Sequence, residues 1–185
     1  MTISTAAHTI TLANEGIDYD ENSADNVSSY DRVVRLSEGT SSAHGVRVFA
    51  DDRQLASAII LAGGGASGIH PRSAFVHAGS LFLAVGPFVV CLDIPSLNTL
   101  WSVETDDATC FGVHRIPESS DFISHGELSI ARVTDAGRIV WSESGADILT
   151  GDLAVLSEGV RVTDFEGRSY SFDLVTGASK LLSPA

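Results

Sequence analysis

The chain is poor in positive charge. Ten arginines and a single lysine, Lys180, stand against 24 acidic residues, a formal net charge of −13 over 185 residues. A nucleic-acid binder must offer clustered cations to phosphates, so that class is excluded. An anionic membrane surface would repel the chain for the same reason. Two cysteines, Cys91 and Cys110, are too few for a disulfide framework. Each lies in an apolar, strand-like stretch and reads as a reduced core thiol, with a single bridge as the alternative. Residues 1–15 carry no cationic start and no apolar core, so no secretory leader is expected. The most apolar stretch, Leu81 to Leu92, is broken by Gly86 and Pro87 and is too short for a spanning helix. A cytoplasmic protein is the expectation. Sustained helical periodicity is nearly absent too, and the glycines and prolines follow no fixed period.

What is present is a foldable composition. Hydrophobic residues make up 44% and charged residues 19%, which excludes wholesale disorder. At this length one domain is expected, burying roughly 70% of the surface its unfolded chain would expose. Residues 1–29 differ from the rest. This stretch holds Glu15, Asp18, Asp20, Glu21 and Asp25 with no lysine or arginine, and it reads as an acidic, polar N-terminal arm or loop. Within it, His8 to Leu12 alternates and can pair as an edge strand. Residues 14–29 cannot offset their ordering entropy unless they dock on the body.

Residues 30–185 form a single β-repeat domain. Short alternating runs recur, among them Ser80–Val85, Phe88–Asp93, Thr99–Val103, Leu128–Val133, Arg138–Ser142, Gly159–Thr163 and Arg168–Asp173. Turn residues such as Asp-Ala-Gly and Thr-Gly separate them. Residues 51–63 compete, because Leu55, Ala58, Ile59 and Ala62 would share a helical face; the repeat argues for strands there. Trp101 in NTLWSVE and Trp141 in RIVWSES stand 40 residues apart, each closing a strand-turn-strand unit. A third unit, YSFDLVTGASKLL, places Leu182 in the tryptophan position, and a fourth, weaker one ends near Leu61. A period near 40 with several strands per unit is the mark of stacked four-stranded blades. The fold class expected is all-β: a propeller-like array of about four repeats, closed as a small propeller or left open. An open array can pair with a second copy to cover its edge strands, so a homodimer is one expectation.

Leu92-Asp93 to Leu100-Trp101 and Val133-Thr-Asp135 to Val140-Trp141 resemble blades of the pyrroloquinoline-quinone-type (quinoprotein) β-propellers and their cofactor-free relatives. The chain is also similar to small bacterial proteins carrying stretches like Thr109-Cys-Phe-Gly-Val113 and Ile123-Ser-His-Gly-Glu127, a likeness that transfers no activity. Quinoprotein dehydrogenases use about eight blades around a cofactor funnel, whereas four repeats fill this chain. The quinone therefore does not carry over, and no cofactor is expected.

Several motifs point to chemistry without completing it. Gly63 to Gly68 contains G-x-G-x-x-G, but Ile69-His70-Pro71-Arg72 opens no helix to hold a pyrophosphate, so the segment reads as a flexible inter-blade loop. No nucleophile elbow surrounds Ser67. Asp18-Tyr-Asp20-Glu-Asn22 opens like a calcium loop, but Ser23 and Ser29 stand where glycine and glutamate are needed. The polar residues His70, Arg72, Arg115, His125 and Glu127 fall in loops around the strands and are the candidate binding residues; no catalytic residue is assigned. The expected function is a non-catalytic binding or interaction module. In its sharper form, the acidic surface docks a basic protein, as an inhibitor or immunity-type protein does. The competing class is a small metal-dependent hydrolase holding a metal on His70, His114, His125 and Glu127.

Overall fold

The computed structural model describes residues 1–183, and among them every regular element is a strand. The strands form four sheets. The first contains β1 (Thr2–Ser4), β2 (Thr9–Asn14), β3 (Arg32–Arg35), β4 (Ser42–Ala50) and β5 (Arg53–Ala62), in the order β1-β2-β4-β5-β3. The second is a meander of β6 (Ala74–His77), β7 (Ser80–Val85), β8 (Phe88–Asp93) and β9 (Thr99–Glu104). The third repeats it with β10 (Cys110–Arg115), β11 (Phe122–Gly126), β12 (Ser129–Val133) and β13 (Ile139–Ser144). The fourth does so with β14 (Ala154–Val155), β15 (Gly159–Thr163), β16 (Ser169–Asp173) and β17 (Ser179–Ser183). The result is an open, propeller-like array, and residues 53–62 are a strand.

Side chains of a strand alternate between its two faces, so a sheet stacked between two others must be apolar on both. β7 meets that demand. Leu81, Leu83 and Val85 pack with Ile10, Leu12, Val46, Val48 and Ile60 of the first sheet. Phe82 and Ala84, on the opposite face, pack with Phe122, Ala131 and Val133 of the third. The third sheet then turns Ile123 and Ile130 toward Val160, Val162, Tyr170 and Phe172 of the fourth. Three consecutive interfaces form one continuous stack.

The tryptophans have a specific task in it. Trp101 donates its indole Nε1–H to the Asp135 carbonyl in the β12–β13 turn, at 2.9 Å. Trp141 makes the same bond to the Leu174 carbonyl in the β16–β17 turn, at 3.0 Å. Each indole also lies against a turn glycine: a Cβ added at Gly137 would sit 2.7 Å from Trp101 Cδ2, and one at Gly177 would sit 2.8 Å from Trp141 Cδ2. The last strand of one blade is thereby fastened to the turn of the next. Counting four residues on from the turn glycine gives Trp141 after Gly137 and Leu181 after Gly177. The tryptophan-equivalent position of the fourth sheet is therefore Leu181, one residue before Leu182, and it is half exposed.

The first sheet is built differently. It contains the parallel pair β3–β5 and carries no tryptophan; Leu97 of the second sheet is instead buried against it, and Arg32 bonds Asn98 at 2.7 Å. Its outer face presents Val33, Ala43, Ile59 and Leu61, against which Tyr19 and Tyr30 pack. Residues 2–14 thus contribute strands to this sheet, and the acidic stretch after them lies across its outer face. Glu15 and Tyr30 share a hydrogen bond, and the Arg47 guanidinium sits 4.3 Å above the Tyr30 ring. The glycine segment at 63–68 is not loose. Ser41 Oγ donates to the Gly64 and Gly65 carbonyls, and the Gly65 amide bonds Ala108 O.

Truncating Trp141 to alanine should cost about 3–5 kcal/mol, read by urea unfolding. Gly167 and Gly177 have similar positive φ (83° and 77°), but nothing lies within 4 Å of a Cβ added at Gly167. Gly167→Ala should therefore show backbone strain alone, on the order of 1 kcal/mol, and Gly177→Ala distinctly more. Equal losses would show that the indole contact contributes nothing.

Candidate functional site

The segments leading into the second and fourth sheets come together beside β10 of the third. β10 packs against β6 and β7 of the preceding sheet. The Val113 amide bonds the Arg72 carbonyl at 2.8 Å, and Arg72 reaches Leu153 O with Nη1 at 3.3 Å. Gly112 permits this approach, since a Cβ there would meet the Arg72 carbonyl at 2.7 Å. Between these segments opens a cleft of about 610 Å³, lined by His70, Pro71, Arg72, Phe111, His114, His125, Thr150, Gly151 and Asp152.

Phe111 is aimed by a bulge. Cys110 pairs with Gly126 and Gly112 with His125, so Phe111 is the extra residue on β10. Its ring stands edge-on to His125 at 5.6 Å between centroids, and His114 lies 5.8 Å from His125. Because a carbonyl only accepts, the histidine protons are fixed by their partners. His70 donates from Nε2 to Phe111 O at 2.7 Å and accepts the Arg72 amide on Nδ1 at 3.2 Å. His125 donates from Nε2 to Leu149 O at 2.7 Å. His114 is different: its Nε2 is buried with no hydrogen-bond partner. Burial lowers its pKa to about 3, with the neighbouring His125, Arg72 and His70 adding to the shift. Burial likewise lowers that of His125, outweighing its bond to the Leu149 carbonyl. Both rings are neutral near pH 7.

Of the five candidate binding residues, the cleft gathers His70, Arg72 and His125. Arg115 lies outside its lining, with Nη2 3.3 Å from His77 Nδ1, and so does Glu127, whose amide and carbonyl bond Thr109 and Leu149. The metal set His70, His114, His125 and Glu127 therefore loses its carboxylate, and both ring nitrogens of His70 are already engaged. No group of three or more His, Cys, Asp or Glu among the described residues is arranged to hold a metal. Phe111, Thr150, Gly151 and Asp152 were not among the candidates. The 40-residue phase could have found two of them, because Pro71, Phe111 and Gly151 recur at that interval.

Elsewhere, His44 Nε2 lies 3.0 Å from Ser67 Oγ, a hydrogen bond between a serine and a histidine side chain. Its Nδ1, where a triad would place a carboxylate, is buried and unpartnered. The Ser67 hydroxyl also serves the Gly86 amide and Ser42, as a structural joint does. Cys91 and Cys110 are both free thiols. Burial pushes Cys91 up to about 11 and Cys110 upward as well, so neither is a ready nucleophile.

Fold and site together define an open β-propeller-like module with a small inner cleft. No family model matches the chain, and no curated protein matches it either. Solved structures do. BamB from Moraxella catarrhalis superposes with a TM-score of 0.56 at 16% identity, over 98% of this chain and 60% of that one. A U3-55K structure (TM-score 0.53, 14% identity) matches over 76% of this chain and 47% of that one. The RRP9 WD40 repeats (TM-score 0.53, 13% identity) match over 76% and 46%. The chain spans less than two thirds of each of these structures, and at such identity the likeness establishes the propeller-type fold alone.

The neutral buried histidines make stability pH-dependent. His44, lowered to about 4, and His114, lowered to about 3, both start from 6.5. Below pH 6.5 the unfolded chain binds protons the native state refuses, so stability is full above that pH and falls as the pH drops toward 4. The loss at pH 5 should be on the order of 1–2 kcal/mol per histidine, read from urea midpoints. A His114→Phe variant should lose less on acidification than the parent; an unchanged slope would contradict the assignment.

Proposed function

We propose that the chain is a non-catalytic interaction module that docks a basic protein through the acidic surface of its N-terminal arm. The observation that carries this reading is the two-sidedness of the arm. Tyr19, with Tyr30 just beyond the arm, packs down onto the first sheet, while Asp18, Asp20, Glu21 and Asp25 all remain exposed. Ile17 and Val27, 61% and 100% exposed, stand among these carboxylates and offer apolar contact. No lysine or arginine precedes Arg32. Such a surface steers a cationic partner during encounter, and the apolar side chains add area that water would leave on docking. Propeller-type folds host enzymes and scaffolds alike, so fold analogy does not decide between them. The arrangement of side chains favours the scaffold, because no nucleophile in the cleft is paired with a base. An inhibitor or immunity-type role is the finer form of the proposal.

The test compares the parent with a variant carrying Asp18→Asn, Asp20→Asn, Glu21→Gln and Asp25→Asn, in cross-linked capture and in affinity against the captured protein. Association should involve a basic protein, weaken steeply with added salt, and fall by at least about tenfold in the variant. Salt-independent association, or equal binding by the variant, would overturn the reading.

A further inference from the structure

The inner cleft has three features that the stacking of blades does not require. Phe111 is displaced by a bulge so that its ring lines the cleft, although the strand could have kept regular pairing. His114 keeps a buried Nε2 without a partner, a cost that neighbouring side chains could have removed. Arg72 uses only Nη1 in its bonds among the described residues, leaving Nε and Nη2 for another acceptor. Its one carboxylate neighbour, Asp152, is fully exposed and 3.6 Å away, a pair too solvated to hold the guanidinium firmly.

These features describe a ligand. The volume of about 610 Å³ falls in the range of small-molecule sites. A guanidinium with an open edge selects a planar, bidentate anion, which favours a carboxylate. The Phe111 and His125 rings, set edge to face at 5.6 Å, offer aromatic surface to a flat ring. The neutral His114 imidazole can donate or accept, so it suits a hydroxyl or ring nitrogen on the ligand.

We propose that this cleft binds a small aromatic carboxylic acid, its carboxylate on Arg72, its ring against Phe111 and His125, and a polar ring substituent beside the His114 imidazole. The site is separate from the acidic arm and stands whether or not the arm docks a protein. The ligand would also join the segments entering three sheets, since Arg72, Phe111 and Thr150 belong to consecutive blades. Binding should therefore raise the unfolding midpoint as well as occupy the cleft.

The experiment titrates the full chain with para-hydroxybenzoate and follows its amide NMR spectrum. Acetate serves as charge without a ring, para-hydroxybenzamide as ring without charge, and inorganic phosphate as a competing anion. Para-hydroxybenzoate should shift the Gly112, Val113 and Gly151 amides saturably with a Kd near or below about 1 mM. The three controls should bind at least about tenfold more weakly. Arg72→Gln should weaken binding by about tenfold, whereas Arg115→Gln, outside the cleft, should leave it unchanged. Phe111→Ala supplies a second variant should Arg72→Gln fail to fold, and it too should weaken the probe. Absence of saturable shifts, equal affinity for phosphate or acetate, or full binding by Phe111→Ala would overturn the proposal.

Discussion

The structure depends on the way each indole is fastened to the next blade. A four-stranded sheet with two apolar faces is not stable in water on its own, and burial without direction would let neighbouring sheets slide. Trp101 and Trp141 remove that freedom. Each ring lies on a turn glycine, and each Nε1–H is bonded to a turn carbonyl of the following sheet. The hydrogen bonds are worth on the order of 1 kcal/mol each, so the buried ring area supplies most of the energy and the bond supplies registry. With registry set, β10 packs on β6 and the segment before β14 reaches Arg72, and the cleft exists because they do.

The two ends of the stack solve a different problem, since each end sheet has a face with no neighbouring sheet. The first sheet leaves Ile59 and Leu61 on its outer face and covers them with Tyr19 of the acidic arm and Tyr30 just after it. The fourth sheet avoids the problem by composition. Arg161, Ser171 and Lys180 form one cross-strand row on the face opposite Val160, Val162 and Phe172. That face is compatible with water. Leu181, where a tryptophan would stand, has no following turn among the described residues to lie on.

The all-β class, the 40-residue period and the meander of the last three sheets could be read from Trp101, Trp141 and the glycine turns, because each is a local signal repeated in phase. The third copy was misplaced by one residue because Leu181 and Leu182 are alike in type, and only the turn geometry separates them. The first sheet was harder. In β5, Ala58, Ile60 and Ala62 face the second sheet while Ile59 and Leu61 face the arm, and a run apolar on both faces has no period with which to exclude a helix. In the site, His70 and Arg72 were legible as polar residues in a loop beside strands; His125 was named on the same ground but stands within β11, not in a loop. Phe111 was marked only by the 40-residue phase it shares with Pro71 and Gly151; the bulge that aims it is a property of pairing between two strands and leaves no mark in one of them. Arg115 and Glu127 met the same sequence criterion as His70, and only the strand register places them outside the cleft.

The most direct measurement is hydrogen exchange at the two indole Nε1–H groups, followed together with the ladder amides of the third and fourth sheets. If the tryptophans hold neighbouring blades in register, both indole protons should be protected. The Trp141 proton should exchange only through openings that also release the β12 and β16 amides. Exchange of the Trp141 indole at the rate of a free side chain, with those ladders still protected, would contradict the claim that this contact joins the blades.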